Sequence, residues 1–130
     1  MKRLLFGYVI IIVVVALIGL GGAYFQSYLE KTAAELSLEL EKVKDKVAEG
    51  NWEESREAFI AFNKKWERVR KNWAMFTNHF EIDNIEMKLV RSQEFIEAKD
   101  AVNAAVELSE AIMLLEHIPE RERLTLQNIF

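Results

Sequence analysis

The sequence predicts an all-α protein, an N-terminal transmembrane helix that continues into an antiparallel bundle of about four helices. Three observations predict it. From Leu4 to Phe25 the chain is free of charged and strongly polar side chains, broken only by Gly7, Gly19, Gly21 and Gly22; at 1.5 Å per residue this run can cross the roughly 30 Å hydrocarbon layer of a bilayer. After it, apolar residues recur at spacings of three and four, the period of a helix with one buried face. Finally, four of the 5 glycines fall within the first 22 residues, and Pro119 is the one proline. Few helix breakers remain for the rest of the chain.

The apolar run is preceded by Lys2 and Arg3, and the first charge after it is Glu30. The positive-inside bias therefore puts the N-terminus in the cytoplasm and the bulk of the chain outside. Residues 1–28 are expected to form a short cytoplasmic stub, the span, and the interfacial aromatics Tyr24, Phe25 and Tyr28; residues 29–130 form the extracytoplasmic bundle. Gly21 and Ala23 also make a small-x-small pattern of the kind found at signal-peptide cleavage sites. The length of the run and the lack of a polar spacer before that pattern favour a retained anchor. Gly19 and Ala23, with Ala16 on the same side, form a small-xxx-small face against which a second membrane helix can pack. Ordinary membrane glycine is the plainer reading of the same residues.

The first helix of the bundle is expected to continue from the anchor, with Leu29, Ala33, Leu36, Leu40, Val43 and Val47 inward. Gly50 suits the left-handed position that ends it, and Asn51 caps the next helix with Glu54 as a capping-box partner. That second helix carries an aromatic stripe of Trp52, Ser55, Phe59, Phe62, Trp66, Val69, Trp73 and Phe76. Its phase is lost between Thr77 and Phe80, which places a turn near Asn78. Ile82, Ile85, Leu89, Ser92 and Ile96 define a third helix, and Asp100 caps a fourth. In the fourth, Ala101, Ala105, Leu108, Ile112 and Leu115 are expected inward, with Val102, Val106 and Met113 broadening the face, and Pro119 is expected to end it. The tail from Glu120 to Phe130 reads equally as a helical turn or as an extended strap.

Charge and composition exclude several functions. Two of the 17 basic residues precede the anchor, whereas all 21 acidic residues follow it. The part beyond the anchor is therefore acidic, which argues against a nucleic-acid partner. The absence of cysteine removes disulfides, thiolate metal sites and thiol nucleophiles. No phosphate-binding loop or nucleophile motif is present, so neither enzymatic activity nor a cofactor is expected.

Candidate sites are sparse. His79, Asp83 and Glu86 share one region with Glu81, and an up-and-down bundle brings Glu116 and His117 to the same end. Imidazole with carboxylates can hold a divalent metal, although the spacing matches no strong metal motif. Lys64, Lys65, Arg68, Arg70 and Lys71 form a basic run that a returning second helix carries toward the bilayer, where anionic headgroups would add about 1 kcal/mol per charge; a solvated face is the plainer alternative. The aromatic stripe suits either a ligand groove or, better in so small a bundle, its core.

At Trp73-Ala-Met-Phe-Thr-Asn-His79-Phe-Glu81-Ile-Asp83, His117-Ile118-Pro119 and Asn128-Ile129-Phe130, the chain resembles an uncharacterised domain-of-unknown-function family of small anchored proteins from spore-forming bacteria. The resemblance covers most of residues 1–130. It implies a short, N-terminally anchored helical protein, in some cases encoded beside a multi-spanning membrane protein, and it carries no catalytic residues over. The function expected is a membrane-anchored interaction or scaffold module. Its partners would be the lipid bilayer together with a multi-spanning membrane protein or a second copy of itself. A small-molecule or metal-binding sensor domain is the alternative.

Overall fold

The computed structural model describes residues 1–129. Four helices, α1 (Lys2–Ala48), α2 (Trp52–Trp73), α3 (His79–Glu97) and α4 (Ala101–Ile129), account for nearly all of it, with no strand among the described residues. α1 is one unbroken helix of 47 residues, roughly 70 Å long at the ordinary helical rise. It is long and apolar enough to cross a membrane, and none of its apolar window is buried within the chain. Its buried stripe begins at Leu29 and runs through Ala33, Leu36, Leu40 and Val43 to Val47. Around this half of α1 the other helices close an up-and-down bundle. α1 packs extensively on α2 and α4, α3 packs on α4, and α2 meets α3 less closely.

The turns follow local chemistry. Gly50 sits at φ +72°; its N–H bonds to the Val47 carbonyl at 3.0 Å and the Asn51 N–H to the Lys46 carbonyl at 3.1 Å, the paired bonds of a Schellman ending. Asn51 Oδ1 then accepts from Glu54 N at 3.2 Å. The reciprocal half of the expected capping box is not made. The Asn51 N–H is already taken by Lys46, and Glu54 instead pairs with Lys46 Nζ at 2.8 Å. The α3–α4 turn repeats the Schellman pattern, Lys99 N to Ile96 O at 3.0 Å and Asp100 N to Phe95 O at 2.9 Å, but with Lys99 in the left-handed position at φ 56°. Asp100 caps α4 as expected, accepting from Asn103 N at 3.1 Å. Between α2 and α3, Asn78 caps the new helix through Phe80 N at 2.9 Å.

The core joins the α1 stripe to Phe59, Phe62, Trp66, Val69 and Trp73 of α2, Ile82, Ile85, Leu89 and Ile96 of α3, and Leu108, Ile112, Leu115 and Ile118 of α4. Trp66 and Trp73 meet edge to face, centroids 5.7 Å apart, the favoured geometry for two quadrupoles. Each indole N–H is satisfied by a neighbouring helix, Trp66 Nε1 donating to Glu86 Oε1 at 2.9 Å and Trp73 Nε1 to Thr32 Oγ1 at 3.0 Å. The aromatic stripe is therefore core and not a groove. Phe76 lies past the end of α2 and is exposed.

α4 departs from expectation in two ways. Its N-terminal half is rotated, so that Ala104 and Ala111 are buried while Val102 and Met113 are 75% and 52% exposed; Ala101 is exposed and Ala105 only half-buried. The buried face runs through Ala104, Leu108, Ala111 and Leu115, one position round from Ala101 and Ala105. Glu107 is drawn into the same interface, its Oε1 3.2 Å from Arg91 Nε and its Oε2 3.6 Å from Lys88 Nζ. Second, α4 does not stop at Pro119 but runs through it to Ile129. The tail is thus helical; Phe130 lies outside the described residues.

Candidate functional site

The up-and-down course returns α2 and α4 to the level at which α1 emerges from its apolar run. Three segments meet at this base: α1 around Phe25, the α2–α3 turn, and the end of α4. Phe25 lies with its ring centroid 4.3 Å from that of Phe76. Asn72 Nδ2 donates to Tyr28 Oη at 2.9 Å, and the Thr32 hydroxyl, which takes the Trp73 indole, donates to the Tyr28 carbonyl at 2.7 Å. Tyr24, Met75, Phe76, Phe80 and Leu124 leave large apolar surface exposed around this base.

The tail of α4 is clamped to the base. Gln26 Nε2 donates to the Pro119 carbonyl at 2.7 Å and to Glu30 Oε1 at 3.1 Å. Arg123 pairs with Glu30 and Arg121 with Glu81. These contacts hold α4 against α1 and α3 on both sides of Pro119, and the helix continues past it. Further along, a Cβ on Gly22 would stand 3.2 Å from Leu126 Cδ2, so the α4 tail packs closely against α1 there. The Arg123 guanidinium, followed by the Gln26 amide, holds the Glu30 carboxyl below its ordinary range. Burial, followed by the nearby charge of Glu81, pushes Glu122 up.

Between α1, the α2–α3 turn and the α4 tail lies a cleft of about 570 Å³, lined by Ile18, Gly21, Gly22, Tyr24, Phe25 and Phe76 with Leu126, and by the polar side chains of Gln26, Glu122 and Thr125. The buried Oε1 of Gln26 has no hydrogen-bond partner.

A family model for a domain of unknown function, DUF4363, matches residues 23–129. The chain belongs to the DUF4363 family. No curated protein and no solved structure matches the chain. The DUF4363 match takes in the whole bundle and the clamp at its base, and leaves out most of the apolar run of α1.

Within this DUF4363 domain the residues singled out from sequence are largely dispersed. Among the described residues, no group of three or more His, Asp or Glu side chains is gathered closely enough to hold a metal ion. His79 and Asp83 are exposed on α3. Glu86 turns inward to Trp66 and lies 3.3 Å from Arg70 Nε. His117 does come to the same end as α3, bordering a small hollow with Glu81 and Arg121. The basic run is split: Lys65 pairs with Glu35 and Glu39 of α1 at 3.3 and 3.2 Å, and Arg70 with Glu67 and Glu86. Lys64, Arg68 and Lys71 are exposed, and make no ion pair among the described residues. Gly19 and Ala23 border a shallow hollow with Arg123, Leu126 and Gln127 of the chain's own tail. The small-residue face is thus partly taken by α4, although nothing lies within 4 Å of a Cβ on Gly19.

Sequence reasoning missed Gln26, Glu30, Arg121, Glu122 and Arg123. The available signal was Pro119 followed by four alternating charges, Glu120 to Arg123, and then Leu124 and Leu126, which reads as an amphipathic turn if the helix is allowed to continue past proline.

Proposed function

We propose that this DUF4363 protein is a membrane-anchored interaction module, held by the apolar half of α1 with its bundle on the extracytoplasmic face of the cell membrane. The observation that carries this reading is the continuity of α1. One continuous helix joins an apolar half whose membrane-length window is unburied in the chain to the stripe on which the bundle is built, so the bilayer is the natural cover for the first and a fixed support for the second. Lys2 and Arg3 before the span, with acidic residues after it, favour the outward orientation. The resemblance to small anchored proteins of spore-forming bacteria points the same way. The partner expected is a membrane protein, multi-spanning or a second copy of this chain, approaching the open side of Gly19 and Ala23.

Because the chain has no cysteine, a single Glu49→Cys substitution at the exposed far turn reports the orientation. Labelling of intact cells by a membrane-impermeant maleimide is the expected result, and protection until lysis would reverse the topology. Gly19→Leu meets no neighbouring atom in the chain. It should leave the bundle folded while abolishing a stoichiometric partner captured with the wild type from native membranes in mild detergent. A partner retained at full stoichiometry by Gly19→Leu would exclude this face. A small-molecule sensor is the second reading, favoured by the cleft at the base.

A further inference from the structure

The cleft at the base has a direction. Ile18, Gly21 and Gly22 belong to the apolar run of α1, and Gln26 follows about 12 Å further along the helix from Ile18. α4 is antiparallel there, so Leu126 lies at the apolar end and Glu122 at the polar end. One end is thus lined by residues of hydrocarbon character, and the other carries the Glu122 carboxyl together with the Gln26 side chain. If α1 spans the bilayer as proposed above, the apolar end points into the outer leaflet and the polar end lies at headgroup level. The volume, about 570 Å³, is within the roughly 300–1,000 Å³ usual for sites that hold small organic molecules.

We propose that this cleft is a binding site for a single membrane phospholipid, with one acyl chain lying along Gly21, Gly22, Phe76 and Leu126 and a headgroup that donates a hydrogen bond to Glu122. The polar end provides an acceptor in Glu122, so the site selects headgroups with N–H or O–H donors, such as ethanolamine or glycerol, over choline, which has none. The clamp between Arg123 and Glu30 holds the tail that forms one wall, so the site exists only while α4 is docked. This inference rests on the membrane reading, and the experiment below separates the two.

The full chain is reconstituted into vesicles of phosphatidylethanolamine and phosphatidylcholine with identical acyl chains, floated on a density gradient, then extracted in mild detergent and weighed by native mass spectrometry. Flotation tests the anchor alone. The wild type should float and retain one phospholipid per chain, with phosphatidylethanolamine enriched about tenfold, the order expected for one charge-assisted hydrogen bond. Gly21→Leu fills the cleft from a position where a Cβ meets no atom within 4 Å; it should float equally and retain no lipid. Glu122→Gln should float, retain the lipid and lose most of the headgroup preference. A floating wild type that retains no more lipid than Gly21→Leu overturns the site while leaving the anchor intact. Retention without preference for ethanolamine overturns the headgroup assignment, and a protein chain captured in place of lipid overturns the occupant. A wild type that fails to float overturns both readings.

Discussion

Lys99 offers the cleanest quantitative test of the fold. It occupies the left-handed position of the α3–α4 turn at φ 56°, where a side-chain Cβ crowds the following carbonyl at a cost of about 1–2 kcal/mol. The side chain is exposed and makes no ion pair among the described residues, so nothing in the fold offsets that cost. Lys99→Gly removes the crowding but gives the unfolded chain extra freedom worth roughly 0.4–1 kcal/mol. The net expectation is a stabilisation of about 0.5–1 kcal/mol, or roughly 2–6 °C in melting temperature for a bundle of this size. Gly50 is the mirror control. It holds the same position at φ +72° with open space around it, so Gly50→Ala should destabilise by about 1 kcal/mol through the backbone alone. Both variants are read in the full-length chain in detergent micelles by the emission of the buried Trp66 and Trp73 during urea or thermal unfolding. A neutral or destabilising Lys99→Gly, with Gly50→Ala behaving as expected, would refute the Schellman geometry assigned to the α3–α4 turn.

Ser37 on α1 is buried and its hydroxyl has no hydrogen-bond partner, so Ser37→Ala should stabilise the bundle by about 1–2 kcal/mol in the same unfolding assay; a loss of stability would mean the hydroxyl is satisfied. The tail carries two opposed titrations. Glu30, lowered by Arg123 and then Gln26, favours docking above the ordinary carboxylate range, and its contribution fades as pH falls through the lowered value. Glu122, raised by burial and then by Glu81, favours docking below the ordinary range, and that contribution is lost as pH rises through its raised value. In lipid-free detergent, a spin label at Gln127→Cys should therefore be least mobile in mild acid, loosening both toward neutrality and in stronger acid. Glu122→Gln should remove the loosening toward neutrality; mobility that still rises there in Glu122→Gln would rule out Glu122 as its source.

The helices were legible because their buried faces are built from large residues at strict helical spacing. Leu29 to Val47, Phe59 to Trp73 and Ile82 to Ile96 all lie on the faces their periodicity predicts. The turns were legible where a special residue marks them, as at Gly50, Asn78 and Asp100. α4 was misread in its first half by one position: Ala101 and Ala105 were expected inward, and Ala104 lies there instead. Leu108, Ile112 and Leu115 are buried as expected, and both Ala101/Ala105 and Ala104/Ala111 stand at helical spacing from them, so periodicity cannot rank one alanine pair against the other. The residues considered as metal ligands lie apart for a different reason. His79, Asp83 and His117 come to one end of the bundle, as the topology requires, but sharing an end does not make side chains converge.

The tail shows a local rule overridden by long-range contacts, and the base of the bundle depends on it. Proline lacks the N–H that would bond to the Leu115 carbonyl, so on local grounds the helix should stop. Pro119 is nonetheless buried, and its own carbonyl receives the amide of Gln26 from 93 residues away in sequence. Gln26 is the first strongly polar side chain after the apolar run, and Glu30 the first charge. From sequence both look like the start of a solvated face, yet in the fold they position Pro119 and Arg123. Arg121 reaches across to Glu81 on α3, so the tail is tied to α1 and α3 at once. Had α4 ended at Pro119, Gly22 would have no Leu126 to approach it and the cleft would lack a wall. The residues that set where the bundle meets the apolar half of α1 are thus the polar ones flanking it, and their pairing is a property of the closed bundle that no window of the sequence contains.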